Sequence, residues 1–123
     1  MFSIKTANKI LNTYVKPKYM GLLYSAPTDD GTAVTFSELV GTGYARANLS
    51  ISLPDATNRT IINNEIIYFP EAESDWGTAT HFAIFDDKTG GEPIIYGELD
   101  SAVTISTNYV PLFRKERFRF TLS

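Results

Sequence analysis

The first stretch of the chain carries apolar residues at helical spacing. Between Ser3 and Val15 they form one stripe, made of Ile4, Ala7, Ile10, Leu11 and Tyr14. Ser3 is a suitable N-cap, and Pro17 prevents the helix from continuing. The pattern predicts a helix over residues 3–15. A helix of about three turns is only marginally stable alone, so we expect it to pack on the rest of the protein or on another subunit.

After Pro17 the pattern changes to short strands separated by turns. Two segments alternate apolar and polar residues with a period of two, Arg46–Leu53 and Arg117–Leu122. The other short strands predicted outside the central hairpin are Lys18–Tyr24, Thr60–Ile62, Glu65–Phe69 and Ala102–Thr107. The second and third either flank Asn63-Asn64 as separate strands or form one strand with a bulge. Within the first of these, Gly21 leaves room for a close neighbour.

The segment from Thr78 to Leu99 predicts a β-hairpin. Its two apolar runs, Thr78–Phe85 and Ile94–Leu99, are joined by the Gly-rich connection DDKTGGEP. Strands do not alternate with the crossover helices that a parallel sheet needs. The sequence therefore predicts an all-β fold, either an antiparallel β-sandwich or a jelly-roll-like domain, with one short N-terminal helix. At 123 residues we expect a single domain, residues 1–123, with helix 3–15 preceding a β domain over residues 18–123.

The composition excludes several classes of protein. The chain has no Cys, which excludes disulfides and thiolate metal sites. No apolar run reaches the roughly 20 residues of a membrane span. Lys5 and Lys9 interrupt the N-terminal apolar residues, so this segment does not resemble a signal peptide. We therefore expect synthesis in the cytoplasm and no membrane partner.

The net charge of −3 is distributed unevenly. Residues 1–28 carry four lysines and no acid, whereas residues 71–100 carry eight carboxylates and one lysine. The C-terminal end is basic again, with Arg114, Lys115, Arg117 and Arg119. This distribution fits a solvated surface, or basic termini and an acidic middle that face different neighbours in an assembly. With an overall acidic chain and no basic stripe with interleaved aromatics, we expect no nucleic-acid partner.

His81 is the only histidine and the first candidate for catalysis. Asp86 and Asp87 lie just beyond the same strand, and Thr78 and Thr80 precede His81, so a base, an orienting acid and a hydroxyl occur close in sequence. Successive residues of a strand point to opposite faces, however, which favours a structural histidine. The sequence predicts no catalytic residue.

Acidic residues in the loops are the candidates for a metal site. Glu71, Glu73, Asp75, Asp86 and Asp87 could supply oxygen ligands for Ca²⁺. They do not match the D-x-[DN]-x-[DN]-G loop, and a solvated loop is the favoured interpretation. We therefore expect no metal and no cofactor.

Trp76 has two interpretations. Together with Tyr68, Tyr96 and Tyr109 it could form an aromatic platform for a sugar, because such side chains offer flat apolar faces with polar edges. Its position between Pro70 and Gly77 favours a loop anchor instead.

Three separated blocks of the sequence resemble a family of small phage virion proteins. The longest reads FP-x-A-x-x-DWGTxTHFxIFD followed by TGG-x-x-x-x-YG-x-L, over residues 69–99. The others are YMGLLYSAPTDD at residues 19–30 and GTGYARANL at residues 41–49. Members of this family are described as tail-fibre-like, head-fibre or capsid-decoration proteins.

The resemblance implies a non-enzymatic structural protein of the virion, made in the host cytoplasm. It implies other virion proteins of the capsid or tail as partners, and a homo-oligomer. We expect a capsid-associated decoration, cement or head-fibre-like accessory protein. The alternative is a carbohydrate- or receptor-binding module of a tail fibre or tail tip, with host polysaccharide as its ligand.

The termini are the predicted docking surface. The helix stripe of Ile4, Ile10, Leu11 and Tyr14 needs cover, and part of that cover can come from a neighbouring subunit. Arg114 and Arg117 lie in the basic C-terminal end and would suit an acidic partner surface.

Overall fold

The computed structural model describes residues 1–122. The chain is built mainly of antiparallel strands with one short helix, which confirms the all-β prediction. The helix α1 spans Ile4–Tyr14. The strands are β1 (Tyr19–Leu23), β2 (Thr28–Asp29), β3 (Val34–Thr35), β4 (Ala47–Asn48), β5 (Thr60–Ile62), β6 (Ile67–Tyr68), β7 (Gly77–Phe85), β8 (Ile95–Ile105), β9 (Leu112–Phe113) and β10 (Arg119–Thr121).

The chain divides into two compact units. The helix unit comprises Met1–Lys18, Asn48–Tyr68 and the segment from Leu112 onward. The sheet unit comprises Tyr19–Ala47 and Phe69–Pro111. The expectation of one domain over residues 1–123 stays a prediction. In the part of the chain that the structure describes, no helix has the length and hydropathy needed to cross a membrane.

The helix unit is organised around α1. Ser3 caps it by accepting a hydrogen bond from the Thr6 N–H at 3.1 Å, as predicted from the sequence. Ala7 and Leu11 are buried one turn apart on the same face. On the helix the amides of Asn8 and Asn12 accept hydrogen bonds from the backbone N–H groups of Arg59 and Ala56. The helix is therefore held by packing and by two polar bonds to one loop.

Two small antiparallel ribbons complete the helix unit. Strand β5 pairs with β10, and β6 pairs with β9. The Thr60–Ile62 strand is where it was predicted. The strands predicted at 65–69 and 117–122 are shorter, and form β6 and β10.

The sheet unit contains the long strands. They form a four-stranded antiparallel sheet in the order β4-β1-β7-β8, which leaves β8 at one edge. Strand β1 pairs with β7 from Tyr19↔Phe85 to Leu23↔His81. One face of this sheet carries a buried cluster of Leu23, Ala83 and Phe85, against which Phe36 packs. The predicted hairpin is confirmed by the β7–β8 pairing.

Strand β8 joins two segments that were predicted separately, Ile94–Leu99 and Ala102–Thr107. Its pairing register with β7 shifts at residues 99–102, where the first predicted strand ends and the second begins. Ala79 pairs with Val103 and His81 pairs with Glu98, so residues 99–102 lie opposite the single residue Thr80. The chain remains extended through this bulge, because β7 pairs with β8 on both flanks of it.

The predicted strand Arg46–Leu53 is wrong. Only Ala47–Asn48 is extended, and Leu49–Ile51 forms one turn of 3₁₀-helix. The Asn48 side chain accepts hydrogen bonds from the Ser50 N–H at 2.9 Å and from the Ser50 hydroxyl at 2.7 Å. This local side-chain bonding competes with strand pairing, and it leaves Ile51 exposed between buried Leu49 and Leu53.

Candidate functional site

The histidine that suggested catalysis is tied to its neighbour. His81 Nδ1 lies 2.8 Å from the Thr80 hydroxyl, which donates its own hydrogen to the Tyr24 carbonyl at 2.9 Å. The hydroxyl can therefore only accept from His81, which makes Nδ1 the protonated nitrogen. Asp86 and Asp87 lie beyond the end of the strand and are exposed. The imidazole therefore donates from Nδ1 to a hydroxyl that is itself bonded to the backbone.

The acidic loop residues have structural partners as well. Asp75 accepts hydrogen bonds from the Thr107 N–H at 2.9 Å and the Thr107 hydroxyl at 3.1 Å. Within residues 1–122, no group of three or more His, Asp or Glu side chains is arranged to hold a metal ion. The Asp75 bonds connect the loop before β7 to the turn after β8.

Trp76 lies in the interior of the sheet unit, with 1% of its surface exposed. Its indole Nε1 donates a hydrogen bond to the Thr42 carbonyl at 3.0 Å. Its ring meets the Tyr44 ring edge-on, with centroids 5.2 Å apart. A Cβ at Gly41 would come within 2.2 Å of the indole, so the loop can pass over Trp76 only with glycine at that position. The apolar face and the polar edge of the indole are both occupied by protein.

The densest polar arrangement of the sheet unit centres on Arg46. Its guanidinium binds the Glu38 carboxylate through two hydrogen bonds, Nε–Oε2 at 2.9 Å and Nη2–Oε1 at 2.8 Å. The two side chains are 4% and 17% exposed. The guanidinium also lies 3.4 Å from the centroid of the Phe85 ring. Bidentate geometry and aromatic stacking are both specific to arginine.

The remaining guanidinium nitrogen reaches the connection between β7 and β8. Arg46 Nη1 donates to the carbonyls of Asp87 and Gly90, each at 2.8 Å. One side chain thereby joins the segment before β4 to the hairpin loop 41–44 residues further along. We call Glu38, Tyr44 and Arg46 the arginine clamp.

Tyr44 completes the clamp. Its hydroxyl donates to Glu38 Oε2 at 2.5 Å and accepts from the Leu22 N–H at 3.1 Å. Burial raises the pKa of Tyr44, and the hydrogen bond to Glu38 and the charge of that carboxylate raise it further. The phenol is therefore held in its neutral, donating form.

Gly21 explains how the clamp fits onto the sheet. A Cβ at this position would lie 2.5 Å from Glu38 Oε2 and 2.9 Å from the Phe85 ring. This is the close approach that the sequence predicted for Gly21, although the sequence did not identify the neighbour.

A shallow groove of about 520 Å³ adjoins the clamp. It is lined by the clamp residues together with Val40 and Lys88. Within the groove, Arg46 and Glu38 bind each other, and Arg46 also binds the loop backbone.

The helix unit has its own polar centre at Asn63, which is fully buried. Its side-chain Nδ2 donates to the carbonyls of Glu65 at 2.7 Å and Arg114 at 2.9 Å, and its Oδ1 accepts from the Phe118 N–H at 2.9 Å. Each donor and acceptor of the amide therefore holds a different backbone segment.

The predicted docking residues do not share one environment. Ile4 and Tyr14 are exposed at 46% and 54% of their surface, and Ile10 is partly buried. Leu11 is 1% exposed and belongs to the core of the helix unit, because its side chain lies on the face of α1 that carries Ala7. Arg114 and Arg117 are both exposed.

The sequence did not predict the clamp. Its members lie within nine residues, but they follow no helical or strand periodicity, and their chemistry is not that of a known site. Tyr44 and Arg46 lie in the GYAR segment, which indicated the resemblance to phage virion proteins but no interaction between these two side chains. A usable signal was present: Arg46 stands between Ala45 and Ala47, in a segment predicted to be half buried, and a buried arginine needs an acidic partner.

These observations define a class of protein: a small antiparallel all-β protein whose polar side chains are used to fix its loops. The family comparison is more specific. The profile of the family described as Podophage GP4 fiber I protein gp80 matches residues 1–121. The chain belongs to this family, and it is a fiber-type structural protein of a phage virion. No curated protein matches the chain. The resemblance to phage virion proteins is thus confirmed at the level of the family.

Proposed function

We propose that the chain is a non-enzymatic accessory subunit of the virion, associated with the capsid as a decoration or head-fibre-like protein. The family supports a fiber-type structural role. The observation that carries the non-enzymatic part is the arginine clamp. The most densely bonded charged groups of the sheet unit are saturated by one another and by loop carbonyls.

The proposed partner is another virion protein, contacted through the two exposed ends of the apolar stripe of α1. Ile4 and Tyr14 are apolar and exposed there, and Lys5 and Lys9 lie on the same helix. Apolar contact supplies most of the affinity in such an interface, whereas the charges set orientation. Synthesis in the host cytoplasm, before assembly, fits this role.

Localisation in the particle tests the proposal. An image reconstruction of virions that carry a tagged copy should show the tag on the capsid, at lattice positions or on head fibres. Density confined to the tail tip would contradict the capsid assignment.

Occupancy tests the docking surface. The double variant Ile4→Ser/Tyr14→Ser should be depleted from particles while its melting temperature stays close to that of the wild type. Ile51→Ser is the matched control, since Ile51 is also an exposed apolar residue of the helix unit. Full occupancy of the double variant would place the docking surface elsewhere.

Enzymatic activity would overturn the non-enzymatic part. His81→Ala and Asp87→Asn should change stability or assembly at most. A glycosidase or peptidase activity that either variant abolishes would contradict the proposal.

A receptor-binding module is the second candidate. Tyr68 and Tyr109 favour it, since their rings are exposed and could stack on a sugar. Trp76 argues against it, because a buried indole offers no face to a ligand. Loss of host polysaccharide binding in Tyr68→Ala or Tyr109→Ala would support this second candidate.

A further inference from the structure

The outward face of the β6–β9 ribbon is apolar. Tyr68 and Leu112 form a cross-strand pair, and both are exposed, at 58% and 46% of their surface. Ile66, which lies on the same side by strand alternation, is also exposed. The inward face is buried in the ordinary way, with Ile67 in the core and the Phe113 ring packed on Phe118. We call Ile66, Tyr68 and Leu112 the ribbon patch.

A second exposed apolar site lies where β8 begins. Ile94 and Tyr96 are each 39% exposed and occupy the same side of the chain. We call these two residues the hairpin patch. Since β8 is an edge strand, this patch lies at the rim of the sheet, where another chain has access.

The surroundings of the two patches carry opposite charge. The ribbon patch belongs to the helix unit, in whose sequence nine Lys and Arg residues, Arg114 and Arg117 among them, outnumber the three carboxylates Asp55, Glu65 and Glu116. Around the hairpin patch, the exposed carboxylates outnumber the single cation Lys88, and they are Asp86, Asp87, Glu92, Glu98 and Asp100. Each patch therefore has an apolar centre within a charged rim, and the rims are complementary.

We propose that the ribbon patch of one copy of this chain binds the hairpin patch of a second copy. A patch meeting its own equivalent would bring rims of like charge together, which opposes a symmetric dimer. The ribbon–hairpin contact pairs opposite rims. A single such contact leaves one free patch on each copy, so association either closes into a reciprocal dimer or a ring or continues into an open filament. The proposal concerns self-association, and it does not depend on where the protein lies in the virion.

The contact is expected to form through side chains. Addition of a full strand to the β8 edge is limited because the register breaks at residues 99–102, which leaves only a short regular segment before the bulge. The exposed aromatic rings Tyr68 and Tyr96 are the expected anchors, as is common at protein interfaces.

Two double variants test the head-to-tail arrangement. Tyr68→Thr/Leu112→Thr removes the ribbon anchors, and Ile94→Thr/Tyr96→Thr removes the hairpin anchors, while threonine keeps the preference for strands. Sedimentation velocity over a concentration series should show that the mass of the wild type increases with concentration. Each double variant alone should stay monomeric, and their equimolar mixture should form a 1:1 dimer that does not grow.

The control and the contradicting outcomes are specific. Val40→Thr/Ile51→Thr removes two exposed apolar side chains outside both patches, and should associate as the wild type does. A wild type that remains monomeric at millimolar concentration would overturn the proposal. Self-association of either patch variant alone would also overturn it, because that requires a symmetric contact.

A charge-reversal series covers the case in which a double variant fails to fold. Arg114→Glu and Glu98→Lys should each weaken association by about fivefold, the upper range for exposed charges. The protein carrying both substitutions should associate as the wild type does, because the charges introduced at the two patches are again of opposite sign. Equal weakening by all three proteins would contradict the pairing of these rims. Localisation of the protein in the particle addresses the proposed function separately.

Discussion

Arg46 and Glu38 form a two-point ion pair beneath the hairpin loop, with nitrogen–oxygen distances of 2.9 and 2.8 Å. Both side chains are largely removed from solvent. Such a pair contributes little over an apolar substitute, but the loss of one partner leaves a buried charge. The clamp is therefore more sensitive to single substitutions than to paired ones.

The first prediction concerns this asymmetry. Arg46→Met should lower the free energy of unfolding by about 3–5 kcal/mol, because the Glu38 carboxylate would stay buried without its partner. Glu38→Gln in the Arg46→Met background should recover part of the loss. Lys16→Met is the matched control. It breaks the exposed Lys16–Asp55 pair, which should cost about 0–1 kcal/mol. Urea denaturation measures all four proteins, and equal losses for Arg46→Met and Lys16→Met would contradict the clamp.

The second prediction concerns Trp76. Trp76→Ala should cost about 3–5 kcal/mol, as aromatic core deletions do. Trp76→Phe should cost about 1–3 kcal/mol, since it fills most of the space but leaves the Thr42 carbonyl without its donor. Thermal melting should rank the wild type as most stable, Trp76→Phe next and Trp76→Ala last. If Trp76→Ala had the melting temperature of the wild type and lost only sugar binding, the receptor-binding candidate would be favoured.

The third prediction concerns alkaline pH. The pKa of Tyr44 is raised in the folded state, mainly by burial, from its ordinary value of 10.0. A raised pKa stabilises the fold fully below the unfolded value and progressively less above it. Stability should therefore decrease as the pH rises above 10.0. Tyr44→Phe should be less stable at neutral pH and should lose part of this decrease.

The control for the alkaline experiment is Tyr14→Phe, because Tyr14 is exposed. It should leave the stability at neutral pH close to that of the wild type. Ultraviolet titration should also show one tyrosine that ionises only on unfolding. Ionisation of every tyrosine in the native protein near the ordinary pKa would contradict the burial of Tyr44.

The fourth prediction concerns Asn63. Asn63→Ala would leave two carbonyls and one N–H without their side-chain partner, and each unsatisfied buried group costs about 1–3 kcal/mol. We expect the helix unit to lose several kcal/mol of stability. The neighbouring Asn64→Ala is the control, since Asn64 is exposed. Hydrogen exchange at the Phe118 amide reports the local effect, and protection unchanged from the wild type would contradict it.

The elements predicted correctly are those whose signal is local. Helix α1 follows from a single apolar stripe between a capping serine and a proline. Strands β7 and β8 follow from two apolar runs around a Gly-rich connection. The failure at Arg46–Leu53 is instructive, because the alternation was real but the Asn48 side chain satisfied the backbone in a competing turn.

The site could be predicted only in fragments. Gly21 indicated a close approach, but Arg46, between two alanines, was not predicted to be buried with a partner. The pairing with Glu38 depends on the path of the chain across the sheet, and strand periodicity does not encode that path. Asn63 was harder still, since its three partners are backbone groups, which carry no sequence signal, and those of Arg114 and Phe118 lie more than 50 residues away.

The hydrogen bonds from Arg46 to the carbonyls of Asp87 and Gly90 have a consequence for the resistance of the protein to proteolysis. They hold the backbone on both sides of Lys88, the one basic residue in the hairpin connection. A trypsin-like protease must draw several residues of its substrate into an extended conformation before it can cut. Here the bond after Lys88 lies within a short arc fixed at both ends by a buried guanidinium, so an exposed lysine remains a poor cleavage site while the clamp is intact.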